Sequence, residues 1–223
     1  MNKQLVLAAT CVAGVAVGLG LETQAALATG FGGQVLPANA IINGYSLTNA
    51  AEVHVPWLAN GGPLPVTPFE QLVVTISDYI VTDSTYFYVP VFGANNFPPP
   101  FPDPFPSTLT EARFALFDPS QADLSGTVTV DGLTTVLGPE YLVGPVSYTQ
   151  GGSTYQQYQL GTFLSPLAVG SHTVTIELLQ GGVSQGSLTY NVQSNPTPVP
   201  TPALLPGLIA FGLSALRKRQ AQH

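Results

Sequence analysis

Proline donates no backbone hydrogen bond, and glycine loses the most conformational freedom on ordering, so both residues interrupt long helices. This chain carries 23 glycines and 21 prolines among 223 residues, and only 8% of its residues are charged. Such a mix favours many short strands joined by tight turns, and an all-β fold is the expectation. Residues 53–57 alternate apolar with other side chains. Residues 72–76 and 86–92 are rich in β-branched and aromatic types, and residues 127–130 alternate by twos. Asp131-Gly132 supplies the pair that a type I′ hairpin turn demands, so residues 133–137 are expected to return antiparallel.

A second hairpin is expected around Gln180-Gly181-Gly182, with Val174, Ile176 and Leu178 sharing one face and Leu188, Tyr190 and Val192 facing the same core. Together these signals predict a single antiparallel β-sandwich of roughly seven to nine strands.

The two ends differ from this middle. Lys3 precedes an uncharged run over residues 5–21, then a polar step and the small-residue sites Ala26 and Ala28. These read as the three regions of a secretory signal peptide, a helix expected to be removed by signal peptidase after Ala28, with a cut after Ala25 as the second choice. At the other end, Pro196, Pro198, Pro200 and Pro202 recur at every second position and demand an extended stalk. A short apolar segment comes next, closed by Arg217, Lys218 and Arg219 in the position of cytoplasmic flanking charges. About fourteen apolar residues span only ~21 Å as a helix against a hydrocarbon core of ~30 Å, which suits transient membrane anchoring. The domain plan is therefore a signal peptide over 1–28, the β domain over 29–193, a proline-rich linker over 194–202 and a sorting segment over 203–223.

This tail resembles the PEP-CTERM family of sorting signals, in the variant with Pro200, Thr201, Pro202 and Ala203 in place of Pro-Glu-Pro. The resemblance covers about the last 25 residues, and it implies a substrate of an exosortase-type membrane protease, delivered to the cell surface or outside the cell. Within the middle, Gly170-Ser171-His172-Thr173-Val174 and the closing Tyr190-Asn191-Val192 are similar to the last hairpin of Ig-like secreted domains. That resemblance implies fold and no activity.

Charge and cysteine usage narrow the function. Eleven of the 12 acidic residues lie in the middle, where Arg113 is the only Lys or Arg. Nucleic acid is excluded as a partner, since phosphate binding needs a basic surface. Cys11, the single cysteine, falls inside the signal, so the mature protein has no disulfide, no cysteine-held zinc and no thiol nucleophile.

The candidate sites are sparse. Ser171 and His172 are neighbours on a strand and point to opposite faces, so they do not share a proton; the His172 ring is placed to bond a nearby loop carbonyl. Glu52 and His54 would share one side of a strand, but a metal needs two further ligands. Asp118 and Asp123 sit on a loop suited to calcium or simply to solvated turns. Phe97, Phe101 and Phe105, in a proline-rich run over 96–106, either contact a glycan or partner or cover an end of the domain. No catalytic, cofactor or metal site is assigned, and the chain is not expected to be an enzyme. Adhesion or association with extracellular polysaccharide is the role left open to the β domain. The alternative is a secreted hydrolase of carbohydrate or peptide, which would need Glu140 or Glu177 beside a second acid in a cleft.

Overall fold

The structure is a computed structural model that describes residues 32–198. The expected cleavage residues Ala26 and Ala28, the expected sorting residues Pro200, Thr201, Pro202 and Ala203, and Arg217, Lys218 and Arg219 all lie outside them, as do the two terminal helices expected from the sequence.

Nine strands and few helices form the described chain, an all-β domain in which the elements run in the order α1 (Leu47–Asn60), β1 (Glu70–Gln71), β2 (Asp78–Thr82), β3 (Phe87–Asn95), α2 (Leu109–Phe117), β4 (Leu124–Val130), β5 (Leu133–Leu137), a 3-10 turn (Pro139–Tyr141), β6 (Leu142–Gln150), β7 (Ser153–Leu164), β8 (Gly170–Gln180) and β9 (Val183–Asn195). One sheet has the order β1-β3-β7-β6 and the other β2-β9-β8-β4-β5. Hairpin-linked strands pair antiparallel, but β1 runs parallel to β3 and β2 parallel to β9. The sheets are therefore mixed, which corrects the wholly antiparallel expectation. Parallel neighbours need a long connection, and β2 and β9 are joined through most of the domain.

Local chemistry explains the hairpins. Asp131 has φ 48° and Gly132 φ 86°, and Gly181 and Gly182 are at 56° and 75°, the paired left-handed geometry a two-residue turn demands. The β8–β9 register sets Val174 opposite Tyr190 and His172 opposite Val192. Val174, Ile176, Tyr190 and Val192 are buried, as the alternation requires. Leu188, in unbroken register opposite the buried Ile176, is 42% exposed and lines a cleft.

Two expected strands take other forms. Residues 53–57 lie in α1, where Leu47, Ala50, Ala51, His54 and Val55 are buried at helical spacing, so the period counted from Leu47 overrides the short alternation. Ser46 and Asn49 cap the start reciprocally, and Gly61 stops the helix. In residues 72–76 the strand ends early: Leu72 N–H still donates to the Tyr88 carbonyl at 3.1 Å, and residues 73–76 join no strand. The Tyr79 hydroxyl accepts from Val73 N–H at 2.8 Å and donates to the Gln71 carbonyl at 3.2 Å, so the chain turns around this phenol.

A large buried cluster takes side chains from both sheets, among them Phe87, Val89, Tyr158 and Leu160 from one and Val128, Val174, Tyr190 and Val192 from the other. A second cluster joins Leu47 and Ala50 of α1 to Tyr88 and Phe163, and a third joins Ala51 and Val55 to Val146 and Tyr148 of β6. Helix α2 begins with a Thr108–Glu111 capping box, and Arg113 on it donates to the Leu142 carbonyl at 3.3 Å. Both ends of the domain are fastened. Gly33 N–H donates to the Pro166 carbonyl and Gln34 N–H to Ser165 Oγ, while Thr197 N–H donates to Asp83 Oδ1.

Candidate functional site

Two concavities mark the surface. The first, of about 260 Å³, is lined by α1, the turn at residues 72–75, the middle of β3, Gln157 and Gln159 of β7, and Ile176, Leu188 and Tyr190 of the β8–β9 hairpin. It runs along a strand edge. β1 pairs with Phe87 and Tyr88 only, so beyond Tyr88 that side of β3 has no strand partner among the described residues.

Polar groups sit deep in this cleft. His54, Gln157 and Gln159 are 3%, 6% and 3% exposed. Gln157 Nε2 donates to Gln159 Oε1 at 2.8 Å, and Gln159 Nε2 donates to the Phe92 and Leu160 carbonyls. His54 Nδ1 lies 3.1 Å from Gln71 Oε1. Burial pushes the His54 imidazole below its ordinary value, against a smaller opposing effect of the Gln71 bond, so the ring is neutral. With Nδ1–H donated to Gln71, Nε2 carries a lone pair and has no hydrogen-bond partner among the described residues. Trp57 is 5.8 Å from the His54 ring between centroids and holds its own Nε1–H on the Gly62 carbonyl.

The second concavity, about 300 Å³, lies on β2, β9 and β8 around Asp78, Asp131, His172 and Asn191. His172 Nδ1 is 2.6 Å from Asp131 Oδ2 and Nε2 is 2.7 Å from the Ala168 carbonyl, the loop contact expected of this ring. Two acceptors on two nitrogens call for an imidazolium. Burial opposes that charge, but the bonds to Asp131 and Ala168 prevail and hold the imidazole above its ordinary value. Asp131 also accepts from Thr173 N–H at 2.8 Å. Ser171 Oγ is 2.6 Å from Gln193 Oε1 and does not meet the imidazole, so the pair forms a structural clamp without a nucleophile.

Asp78 and Asp131 both line this second groove, yet neither suits acid catalysis. Hydrogen bonds from Asn191 and Ser77 hold Asp78 below the usual carboxylate range. Asp131 is lowered too: burial works against this, and the His172 and Thr173 bonds outweigh it. A glycosidase needs one carboxyl raised so that it stays protonated. Glu140, on the 3-10 turn, and Glu177, opposite Thr127 on β8, line neither concavity.

The other sequence candidates separate. Glu52 and His54 are two apart on a helix, not a strand, so Glu52 faces solvent and accepts from Asn49 while His54 is buried. Asp118 accepts from Ser120 N–H at 2.8 Å in its own turn, and Asp123 takes a left-handed conformation at φ 49°. Among the described residues no three His, Cys, Asp or Glu side chains gather as a metal site. Phe97, Phe101 and Phe105 meet Tyr155, Phe92 and Tyr158 at 5.0, 6.1 and 5.4 Å, so the proline-rich run is laid on the β1-β3-β7-β6 sheet. Sequence reasoning passed over Trp57, Gln157 and Gln159; the one available signal was Gln157 and Gln159 at the two-residue interval that puts both on one face of β7.

No protein-family model matches the chain, and no curated protein matches it either. Among solved structures, a cysteine protease inhibitor from Entamoeba histolytica is similar over 57% of this chain and 96% of that one, at 13% identity and a TM-score of 0.28. A likeness so slight carries no argument about fold or function. Among the described residues, no helix is long and apolar enough to cross a membrane.

Proposed function

We propose that this chain is an exported, non-catalytic protein of the cell surface or extracellular matrix, sorted through its C-terminal signal, whose β domain is an Ig-like sandwich that serves adhesion. The supporting observation is the fastening of both domain ends. Gly33 and Gln34 are tied to Pro166 and Ser165, β9 ends at Asn195, and Thr197 is tied to Asp83 just where the proline repeat starts. Such a domain tolerates loss of the chain before Gly32 and beyond Pro198. The sandwich reading draws on the core shared by the two sheets.

Signal peptidase and an exosortase-type protease are the processing partners this reading requires. Mass spectrometry of the extracellular and membrane-bound forms, reading both mature ends, tests it. The expected product starts after Ala28 and lacks Arg217, Lys218 and Arg219. An extracellular product that keeps those three residues would overturn the sorting assignment.

A further inference from the structure

We propose that the cleft along the free edge of β3 binds one ring of a neutral, hydroxyl-rich ligand, the repeating unit of an uncharged polysaccharide. The inference rests on the adhesive reading of the domain and names its site and ligand class.

The lining excludes charge. It contains no Asp, Glu, Lys or Arg, and its one titratable side chain besides tyrosine, His54, is neutral. It also excludes a purely apolar occupant. His54 Nε2 and Gln157 Oε1 have no hydrogen-bond partner among the described residues, and an apolar ligand would seal these acceptors away from water unmet. A hydroxyl can donate to each. The walls formed by Trp57, Phe92 and Tyr190 match the C–H face of a pyranose, the apolar side that such a ring presents between its hydroxyls.

The free strand edge would also suit an added peptide strand, but the local sequence blunts it. Pro90 has no N–H to offer, and a bulge between Pro90 and Phe92 breaks the even spacing that strand addition needs. A compact ligand fits where a strand does not. At about 260 Å³ the cleft falls just under the ~300–1,000 Å³ of pockets for drug-sized ligands, which is room for one ring and part of a second.

Trp57 is the only tryptophan of the chain, so its emission reports on this cleft alone. The experiment titrates the purified full-length chain, made in a host without the sorting machinery, with cellotetraose, mannotetraose and chitotetraose. Glucose, a tetragalacturonate and an uncharged tetrapeptide form the comparison arms. A saturable change in Trp57 emission is expected with at least one neutral tetrasaccharide, at a dissociation constant of about 1 mM or below. Glucose should bind more weakly and tetragalacturonate not at all.

Val74→Arg, at a mouth residue 63% exposed, and Gln157→Leu should each weaken binding about tenfold. Val136→Arg, at a residue 62% exposed on the distant β5, should leave it unchanged. The proposal is overturned if no neutral tetrasaccharide changes the emission up to about 10 mM. It is equally overturned if tetragalacturonate or the tetrapeptide binds as well, or if Val74→Arg binds like the unmodified chain. Binding is read on protein that has not been exported, so its failure leaves the sorting reading intact, and intact C-termini in the mass spectrum leave the cleft intact.

Discussion

Replacing Asp131 by Asn isolates one charge at the β4–β5 turn without disturbing the turn itself. Asn tolerates φ 48° and keeps an acceptor for Thr173 N–H, so the change falls on the oxygen that faces His172, where a charged acceptor becomes a neutral N–H donor. A buried hydrogen bond between charged groups contributes about 1.5–3 kcal/mol, and an exposed ion pair about 0.2–1 kcal/mol. The His172 side chain is 13% exposed and that of Asp131 47%, so solvent screens the pair and the expected loss is about 1 kcal/mol. For a domain of this size that lowers the melting temperature by about 3 °C.

The pH dependence gives the sharper check. His172 is raised above its ordinary 6.5, so its contribution is complete below that value and is lost as the pH rises through the folded one. Asp131 is lowered from 3.8, so its contribution is complete above that value and is lost as the pH falls through the folded one. The gap between the unmodified chain and Asp131→Asn should therefore be widest between 3.8 and 6.5 and narrow as the solution turns alkaline. Thermal denaturation monitored by circular dichroism at about pH 5.5 and about pH 9 measures it. A gap equal at both, or wider at alkaline pH, would refute the assignment of an imidazolium held between Asp131 and Ala168. In a His172→Gln background the pH dependence of the gap should disappear.

Tyr79→Phe strips the hydroxyl from the turn at residues 72–76 and leaves a buried Val73 N–H unpaired, an expected loss of about 1–3 kcal/mol in urea denaturation. Gly32→Val would place a Cβ 2.5 Å from the Ala168 backbone nitrogen, so the segment over residues 32–36 should detach from β7 and become cleavable in limited proteolysis. Asp83→Ala removes the acceptor of Thr197; protease should then cut beyond Asn195 faster while the melting temperature stays the same.

Where a feature depends on a few adjacent residues, it could be read directly. Asp131-Gly132 and Gly181-Gly182 set their turns through positive φ alone, and the alternation in 127–130 and 174–176 survives as strand, each in the strand that leads into such a turn. The stretch 53–57 misled because apolar residues at two-residue intervals are compatible with a helix once Leu47, Ala50 and Ala51 extend the stripe. Residues 72–76 have strand composition, but composition does not reveal that the Tyr79 phenol occupies Val73 N–H.

The amino-acid order alone determined the all-β class, the hairpin turns and the acidic, cysteine-free middle, and it carries the terminal patterns on which the proposed export and sorting rest, because each arises from local conformational preference or from charge. Tertiary structure decided the parallel pairing of β2 with β9 and the clamp of His172 between Asp131 and Ala168. It also decided the cleft, whose His54, Pro90, Gln157 and Leu188 lie far apart along the chain. Contacts of that range depend on how two sheets and a helix share one interior, a property of the packed whole that no window of neighbouring residues encodes.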